Sequence, residues 1–227
     1  LMYVYMGHMK FDHTQPYENN FWKKNAIDLV KTRVNQIDTH KKLVKTDLGF
    51  DFKYDDLILA TGSSPNKFGW PGQDSDAVQG LYSKQDLESM EHWSSTTKRA
   101  VIVGGGLIGI EMAEKLITKE NETIECQFVG LTVGVHPNID LIKDSPIETN
   151  RGILVDRELK TSLPNVYAIG DCAEQRQAIG QRKALEQVWY TGRMMGEAVA
   201  QTICGNPKAY NPGHWFNSAK FLDVMLG

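Results

Sequence analysis

The stretch that decides the fold is residues 98–116, KRAVIVGGGLIGIEMAEKL. Residues 100–103 form an apolar, mostly β-branched run, which is typical of a strand covered on both faces, as in a parallel sheet. Gly104, Gly106 and Gly109 then form the pattern G-x-G-x-x-G, and apolar residues at helical spacing follow. A strand, a glycine turn and a helix in this order are typical of a dinucleotide-binding unit, in which N–H groups at the helix start face a pyrophosphate.

A glycine pattern by itself also fits an ordinary tight turn, but the flanking strand and amphipathic helix favour dinucleotide binding. Such a unit should return to a second strand that ends, about 20 residues beyond the glycines, in an acidic residue for the ribose hydroxyls. The next strand-like run, residues 123–133, leads instead into turn-like residues 134–138. The choice between NADH and NADPH is therefore not predicted.

Composition places the 227-residue chain among ordinary globular proteins, with 41% hydrophobic residues, 23% charged residues and a formal net charge of −3. These values exclude a disordered chain and give no reason to expect a nucleic-acid partner. The three cysteines show no C-x-x-C pattern and no metal-type spacing to the six histidines. The first eight residues are neither a signal peptide nor a membrane span. We therefore expect a reduced, cytoplasmic protein without a metal site or a membrane partner.

Further elements precede and follow the glycine stretch. Residues 27–59 contain three short β-type runs, which predict a small antiparallel meander that leads into a buried strand and then Thr61 and Gly62. Ser83 and Asp86 resemble a capping box, which predicts a helix as far as about Trp93. Residues 161–171 predict a strand that ends in Gly-Asp, and a long helix is expected over residues 183–203.

Four motifs carry a resemblance to a known family: residues 54–62, the glycine motif with Glu111, residues 134–138, and residues 163–171. In this order they resemble the FAD-dependent pyridine nucleotide-disulphide oxidoreductases, and most of all the branch of NADH oxidases, rubredoxin reductases and ferredoxin reductases. The resemblance implies an α/β fold of the two-dinucleotide-binding type, with Rossmann-like FAD-binding and NAD(P)-binding domains, an antiparallel β-meander and parts missing.

The resemblance also implies roles for individual residues. Asp171 would accept a hydrogen bond from the flavin's ribityl chain, and the start of the following helix would direct N–H groups at a flavin carbonyl. The residues that it places near FAD are Ala60, Thr61, Gly62, Gly170, Asp171, Ala184, Leu185 and Glu186. Those that it places at NAD(P)H are Gly104, Gly105, Gly106, Leu107, Ile108, Gly109, Glu111 and Gly134. No catalytic residue and no metal ligand is predicted.

The chain departs from the family pattern in several places. No G-x-G-x-x-G precedes Lys98, and no cysteine precedes Cys126, so the family's usual redox cysteine is not seen. Cys172 adjoins Asp171 but is expected to be a small buried residue. Strands expected after Leu116 are missing, so we expect the consecutive numbering to hide a join between Leu116 and Glu122.

The domains implied are a first part of the FAD-binding domain at 1–97, an incomplete NAD(P)-binding domain at 98–145, a second FAD-binding part at 146–212, and the start of a C-terminal interface domain at 213–227. The leading hypothesis is a flavoenzyme that transfers hydride from NAD(P)H to FAD and then to a small-molecule or small redox-protein acceptor, as a homodimer when complete. One alternative is a non-catalytic fragment that holds no cofactor, and another is an FAD-free NAD-binding domain. A flavin absorption band that NADH bleaches would separate the first hypothesis from the other two.

Overall fold

The computed structural model describes residues 2–5, 7–106, 109, 125–214, 219–221 and 224–226. The strands are β1 Val34–Asp38, β2 Leu43–Thr46, β3 Asp51–Lys53, β4 Leu57–Leu59, β5 Ser63–Pro65, β6 Val78–Gln79, β7 Ala100–Val103, β8 Phe128–Leu131, β9 Val135–Pro137, β10 Ile153–Val155, β11 Val166–Ala168, β12 Ala173–Gln175, β13 Ala219–Phe221 and β14 Val224–Leu226. The helices are α1 Met2–Tyr5, α2 Phe21–Lys24, α3 Lys84–Ser94 and α4 Trp189–Ile203, with 3₁₀ turns at Phe11–Thr14, Asp140–Ile142 and Gly170–Cys172.

The chain divides into two compact units. Unit 1 comprises residues 1–29, 65–135 and 218–227, and unit 2 comprises residues 30–64 and 136–217. The chain passes from one unit to the other within β5, after Ser64, and again within β9, after Val135.

Unit 1 is built on a three-stranded parallel sheet in the order β6-β8-β7. Helix α3 starts at the predicted capping box, because Ser83 Oγ accepts the amide of Asp86 while the Asp86 carboxylate accepts the amide of Ser83. Its inner face buries Leu87 and Met90 against Leu81 and Phe128. The predicted strand at residues 100–103 and the predicted helix after Ser83 are both confirmed.

Unit 2 holds the predicted meander, an antiparallel sheet in the order β1-β2-β3. The unit also contains two parallel pairs, β4 with β11 and β10 with β12. Helix α4 covers the core of this unit with Met195, Ala198 and Val199, which are at most 4% exposed. Parallel strands and helices occur together in this chain, so the predicted α/β class is confirmed.

Several boundaries differ from the sequence prediction. Helix α4 begins at Trp189 rather than Lys183, and the turn expected at residues 134–138 contains the short strand β9. The predicted domain boundary at 97/98 lies inside unit 1, because β6, which precedes that boundary, pairs with β8 in the same sheet as β7. The predicted join between Leu116 and Glu122 lies outside the described residues.

Among the described residues, no helix has the length and apolar character that a membrane span requires.

Candidate functional site

The carboxyl ends of β4 and β11 lie side by side in unit 2. The two strands are parallel, with Leu57 opposite Val166 and Leu59 opposite Ala168. Residues 60–62, which follow β4, therefore start beside residues 169–171, which follow β11. The sequence analysis implied this juxtaposition from two stretches far apart in the chain, and the strand register confirms it. The assignment of the two segments to FAD stays a prediction.

Asp171 is oriented by a buried serine that the sequence analysis did not single out. Ser63 Oγ donates to Asp171 Oδ2 at 2.7 Å, and Ser63 is only 2% exposed. A carboxylate has acceptor capacity for several hydrogen bonds, so the bond to Ser63 fixes the group and still allows a ligand hydroxyl to donate to it. Next to it, Gly170 has φ +70°, and a Cβ placed there would meet no described atom within 4 Å.

Thr61 and Asn138 hold the segment after β4 in place. Thr61 Oγ1 donates to the Asn138 carbonyl at 2.6 Å, and Asn138 Nδ2 donates to the Thr61 carbonyl at 3.0 Å. The backbone N–H of Asn138 also donates to the Gly62 carbonyl at 2.9 Å. The hydroxyl of Thr61 is thus used by the protein itself, so a cofactor beside residues 60–62 would meet mainly backbone.

Cys172 is a buried structural residue, as expected. Its side chain is 0% exposed, and its thiol donates to the carbonyls of Leu59 and Ile169 at 3.5 and 3.3 Å. The thiol therefore helps to tie β4 to β11 behind the site.

The N-terminus of α4 packs against the end of β11. A Cβ on Gly192 would lie 3.4 Å from the Cα of Gly170, and the Gly170 amide lies 3.3 Å from Met195 Sδ. The cap residue Val188 provides no side-chain hydrogen bond, and the first bond within the helix joins the Gly192 amide to the Val188 carbonyl at 3.2 Å.

In any α-helix the amides of the first turn lack an acceptor inside the helix, and they form the positive end of its dipole. Here that turn contains Trp189 and Thr191. It therefore offers an anion-stabilising helix end close to Gly170.

The prediction that Ala184, Leu185 and Glu186 form this helix start is wrong. The Gln175 amide donates to the Ala184 carbonyl at 2.8 Å, and Leu185 forms an antiparallel bridge with Glu174. Ala184 and Leu185 therefore pair with β12 and lie ahead of the helix, which begins at Trp189.

The carboxylate of Glu186 is engaged in a buried ion pair, and its placement near FAD stays a prediction. Arg182 donates to both of its carboxylate oxygens at 2.7 Å, and the two side chains are 10% and 7% exposed. The hydrogen bonds to Glu186 raise the pKa of the Arg182 guanidinium above its ordinary value. Arg182 also donates to the Gly213 carbonyl at 3.2 Å, so the ion pair connects the segment before α4 to the segment after it.

A second candidate site lies in unit 1, where the carboxyl ends of β6, β7 and β8 meet at one edge of the parallel sheet. A cavity of about 300 Å³ opens at this edge and is lined by Tyr82 after β6, Gly106 after β7, and Thr132 and Gly134 after β8. Ligands of open α/β sheets bind at this edge. Two of the residues predicted at NAD(P)H, Gly106 and Gly134, thus lie on one cavity.

The glycines of the motif differ in what surrounds them. A Cβ on Gly104 would lie 2.6 Å from the carbonyl oxygen of Thr132, and a Cβ on Gly109 would overlap the carbonyl oxygen of Gly104. A Cβ on Gly105 or Gly106 would meet no described atom within 4 Å. Packing within the protein therefore requires Gly104 and Gly109, whereas Gly105 and Gly106 leave the backbone open to a ligand.

Thr132 and Tyr82 are site residues that the sequence analysis missed. Thr132 Oγ1 lies 3.1 Å from the carbonyls of both Val103 and Gly104, so it anchors the glycine turn to the neighbouring strand. The Tyr82 amide donates to Asp86 Oδ2 at 2.9 Å. The capping box at Ser83 is the signal that could have identified Tyr82, because it fixes the chain at the end of β6.

Three residues predicted at NAD(P)H, Leu107, Ile108 and Glu111, lie outside the described residues. Within the described part of the chain, no group of three or more His, Cys, Asp or Glu side chains could hold a metal ion.

A family model described as pyridine nucleotide-disulphide oxidoreductase matches residues 6–117 and 113–196. The NADH-rubredoxin oxidoreductase of Clostridium acetobutylicum is 29% identical over 240 residues, which cover 86% of this chain and 61% of that protein. The assimilatory nitrate reductase electron transfer subunit of Bacillus subtilis is 27% identical over 263 residues, which cover 90% of this chain and 33% of that protein. The chain thus spans between a third and about six-tenths of these two relatives.

The crystal structure of the NADH:rubredoxin oxidoreductase from Clostridium acetobutylicum superimposes with a TM-score of 0.80 at 25% identity, covering 96% of this chain and 68% of that one.

Proposed function

Because the chain belongs to the pyridine nucleotide-disulphide oxidoreductase family, we propose that the protein passes hydride from NAD(P)H to FAD and then to an acceptor. One observation carries the proposal: each unit has, at the carboxyl ends of its parallel strands, a glycine whose Cβ position has no described atom within 4 Å, Gly170 in unit 2 and Gly106 in unit 1. Two such sites in one chain suit an enzyme that binds two dinucleotides.

The flavin end of FAD is assigned to the ends of β4 and β11. Asp171, which Ser63 holds in place, would accept a hydrogen bond from a ribityl hydroxyl. The backbone of residues 60–62 and the open side of Gly170 give the ligand room. When bound, FAD supplies the two-electron chemistry that the side chains lack.

The first turn of α4 takes the role that the sequence analysis gave to residues 184–186. Its amides, those of Trp189 and Thr191 among them, would stabilise negative charge on a flavin carbonyl placed at this helix end. No second G-x-G-x-x-G precedes Lys98, so these residues account for the flavin end of FAD and not for its pyrophosphate.

NAD(P)H is assigned to the cavity of unit 1. The amides of the glycine turn hold the pyrophosphate, and the open space over Gly105 and Gly106 allows the ligand to approach the backbone. Gly134 lines the same cavity.

The acceptor that we propose is a small redox protein. The support is the relative named for rubredoxin, a small electron carrier, although this chain spans 61% of that relative. The homodimer and the cytoplasmic location stay predictions from the sequence.

Two substitutions in the full protein test the two sites separately. Asp171→Ala should weaken FAD binding by about tenfold or more, because a hydrogen bond to a charged group contributes about 1.5–3 kcal/mol. Gly106→Val should leave flavin content unchanged and raise the Kd of NADH by about tenfold or more, because its side chain fills the space for the pyrophosphate. Flavin content is measured by absorbance and NADH binding by titration.

Asp140→Ala is the matched control in unit 2, because the Asp140 side chain is 87% exposed and lies outside the proposed site. It should change neither quantity. Equal flavin loss in the Asp171→Ala and Asp140→Ala variants would contradict the assignment of the FAD site. Unchanged NADH binding in Gly106→Val would contradict the assignment of the NAD(P)H site.

A further inference from the structure

Tyr82 stands out among the residues around the cavity of unit 1. It is the aromatic member of the cavity lining, yet the mechanism proposed above gives it no task. Its side chain is 41% exposed, so part of its surface is available to a ligand. A large exposed aromatic side chain beside a cavity of about 300 Å³ is a common way to bind a flat ring.

The backbone of Tyr82 is held firmly. Asp86 Oδ2 accepts the amides of both Tyr82 and Ser83, at 2.9 and 2.8 Å, and the Ser83 hydroxyl in turn accepts the amide of Asp86 at 3.1 Å. The backbone therefore takes a fixed path through Tyr82, between the end of β6 and the start of α3. A fixed platform loses little conformational entropy when a ligand binds against it.

The position of Tyr82 in the sheet indicates which part of the dinucleotide it meets. The order β6-β8-β7 places the end of β6 two strands away from the glycine turn, with Thr132 and Gly134 between them. The glycine turn holds the pyrophosphate, so a ligand that fills this cavity extends from there across β8 towards Tyr82.

The chemistry of the cavity selects between the two ends of NAD(P)H. The adenosine half requires an acidic residue at a strand end for its ribose. Residues 132–134, which follow β8, are Thr-Val-Gly, and the described residues that line the cavity include neither a carboxylate nor a cation. This described lining, largely apolar and with one tyrosine, suits the nicotinamide ring.

We infer that the Tyr82 ring binds the nicotinamide half of NAD(P)H by stacking and so positions it in the cavity of unit 1. The inference rests on the proposed NAD(P)H site and adds a binding residue to it. The ring supplies the interaction, and the hydroxyl is not required.

The test compares two ligands that differ only in the nicotinamide. NAD⁺ and ADP-ribose share the adenosine and the pyrophosphate, and ADP-ribose lacks the nicotinamide ring. Their Kd values are measured by calorimetric titration on the full protein, its Tyr82→Leu and Tyr82→Phe variants, and Trp70→Leu. Trp70 is a matched control, an aromatic residue of the same unit that is 44% exposed and is not part of the cavity lining.

The Tyr82→Leu variant should bind NAD⁺ about three- to tenfold more weakly, the range expected for a lost aromatic pair, and should bind ADP-ribose unchanged. Tyr82→Phe and Trp70→Leu should bind both ligands like the parent protein. Equal weakening of both ligands in Tyr82→Leu would overturn the inference, because Tyr82 would then support the pyrophosphate half or the fold.

The two levels of the proposal fail in distinguishable ways. A parent protein that binds NAD⁺, with no change in Tyr82→Leu, overturns the role of Tyr82 and leaves the proposed site intact. A parent protein that binds neither NAD⁺ nor ADP-ribose overturns the proposed site itself, and the inference with it.

Discussion

Gly106 and Gly109 belong to one motif, but the structure accounts for them differently. A Cβ on Gly109 would lie 2.5 Å from Thr132 Oγ1, whereas a Cβ on Gly106 would meet no described atom within 4 Å. In a strand–turn–helix setting the glycine pattern itself predicts this difference, because the second glycine allows the backbone to approach a pyrophosphate and the third allows the helix to pack against the strand. What the sequence could not show is the part played by Thr132, which follows β8 and packs against both Gly104 and Gly109.

Tyr210 is the residue from which we expect a measurable pH dependence. Burial, reinforced by the negative charge of Glu186, raises the pKa of Tyr210 to about 12 from an ordinary value near 10. Its hydroxyl is buried and has no hydrogen-bond partner among the described residues. The neutral phenol is therefore favoured in the folded state, and its contribution to stability is complete below pH 10 and is lost as the pH rises towards 12.

The comparison of the parent protein with Tyr210→Phe isolates this effect. The variant should be as stable as the parent or more stable at pH 7, because it removes an unpaired polar atom. Between pH 10 and 12 the parent should lose up to about 2–3 kcal/mol relative to the variant in the free energy of unfolding, measured by denaturant titration. Tyr17→Phe, at a residue that is 50% exposed, serves as the control. Parallel pH curves for the parent and Tyr210→Phe would show that ionisation of Tyr210 is not linked to unfolding.

At the scale of elements, the start of α4 shows where prediction from sequence fails. Residues 183–188 contain no glycine or proline, and local helix propensity alone allows the helix to begin at Lys183. The pairing of residues 184 and 185 with β12 overrides this propensity. The capping box at Ser83 was predictable, because a cap needs only two residues close in sequence, whereas a strand edge depends on contacts across the fold.

The buried pair of Arg182 and Glu186 gives a prediction about the stability of unit 2. Glu186→Ala should lower the free energy of unfolding by about 3–5 kcal/mol, because it leaves a buried guanidinium without its partner. The matched control is Glu197→Ala, since Arg193 and Glu197 form a pair with the same spacing whose side chains are 65% and 61% exposed. That change should cost less than about 1 kcal/mol. Similar losses in the two variants, measured by urea unfolding, would contradict a special contribution of burial.

At the scale of the whole molecule, the sequence predicted which segments come together better than where the units divide. The family resemblance, which implied that residues 60–62 and 170–171 lie near one cofactor, was enough to predict that these two strand ends lie side by side. The division at 64/65 was not predictable in the same way, because it depends on the pairing of the two-residue strand β6 with β8, and so short a strand has no recognisable alternation.

The central claim is that one chain brings NAD(P)H and FAD together for hydride transfer, and the visible spectrum of the full protein tests it most directly. The protein is saturated with FAD under anaerobic conditions, freed of unbound flavin, and titrated with NADH while the flavin absorption band is followed. The account predicts a bound flavin whose absorption band bleaches in proportion to the NADH added, up to one equivalent. Failure to retain flavin, or a retained flavin that NADH does not bleach, would contradict it and favour a chain that is not a flavin reductase.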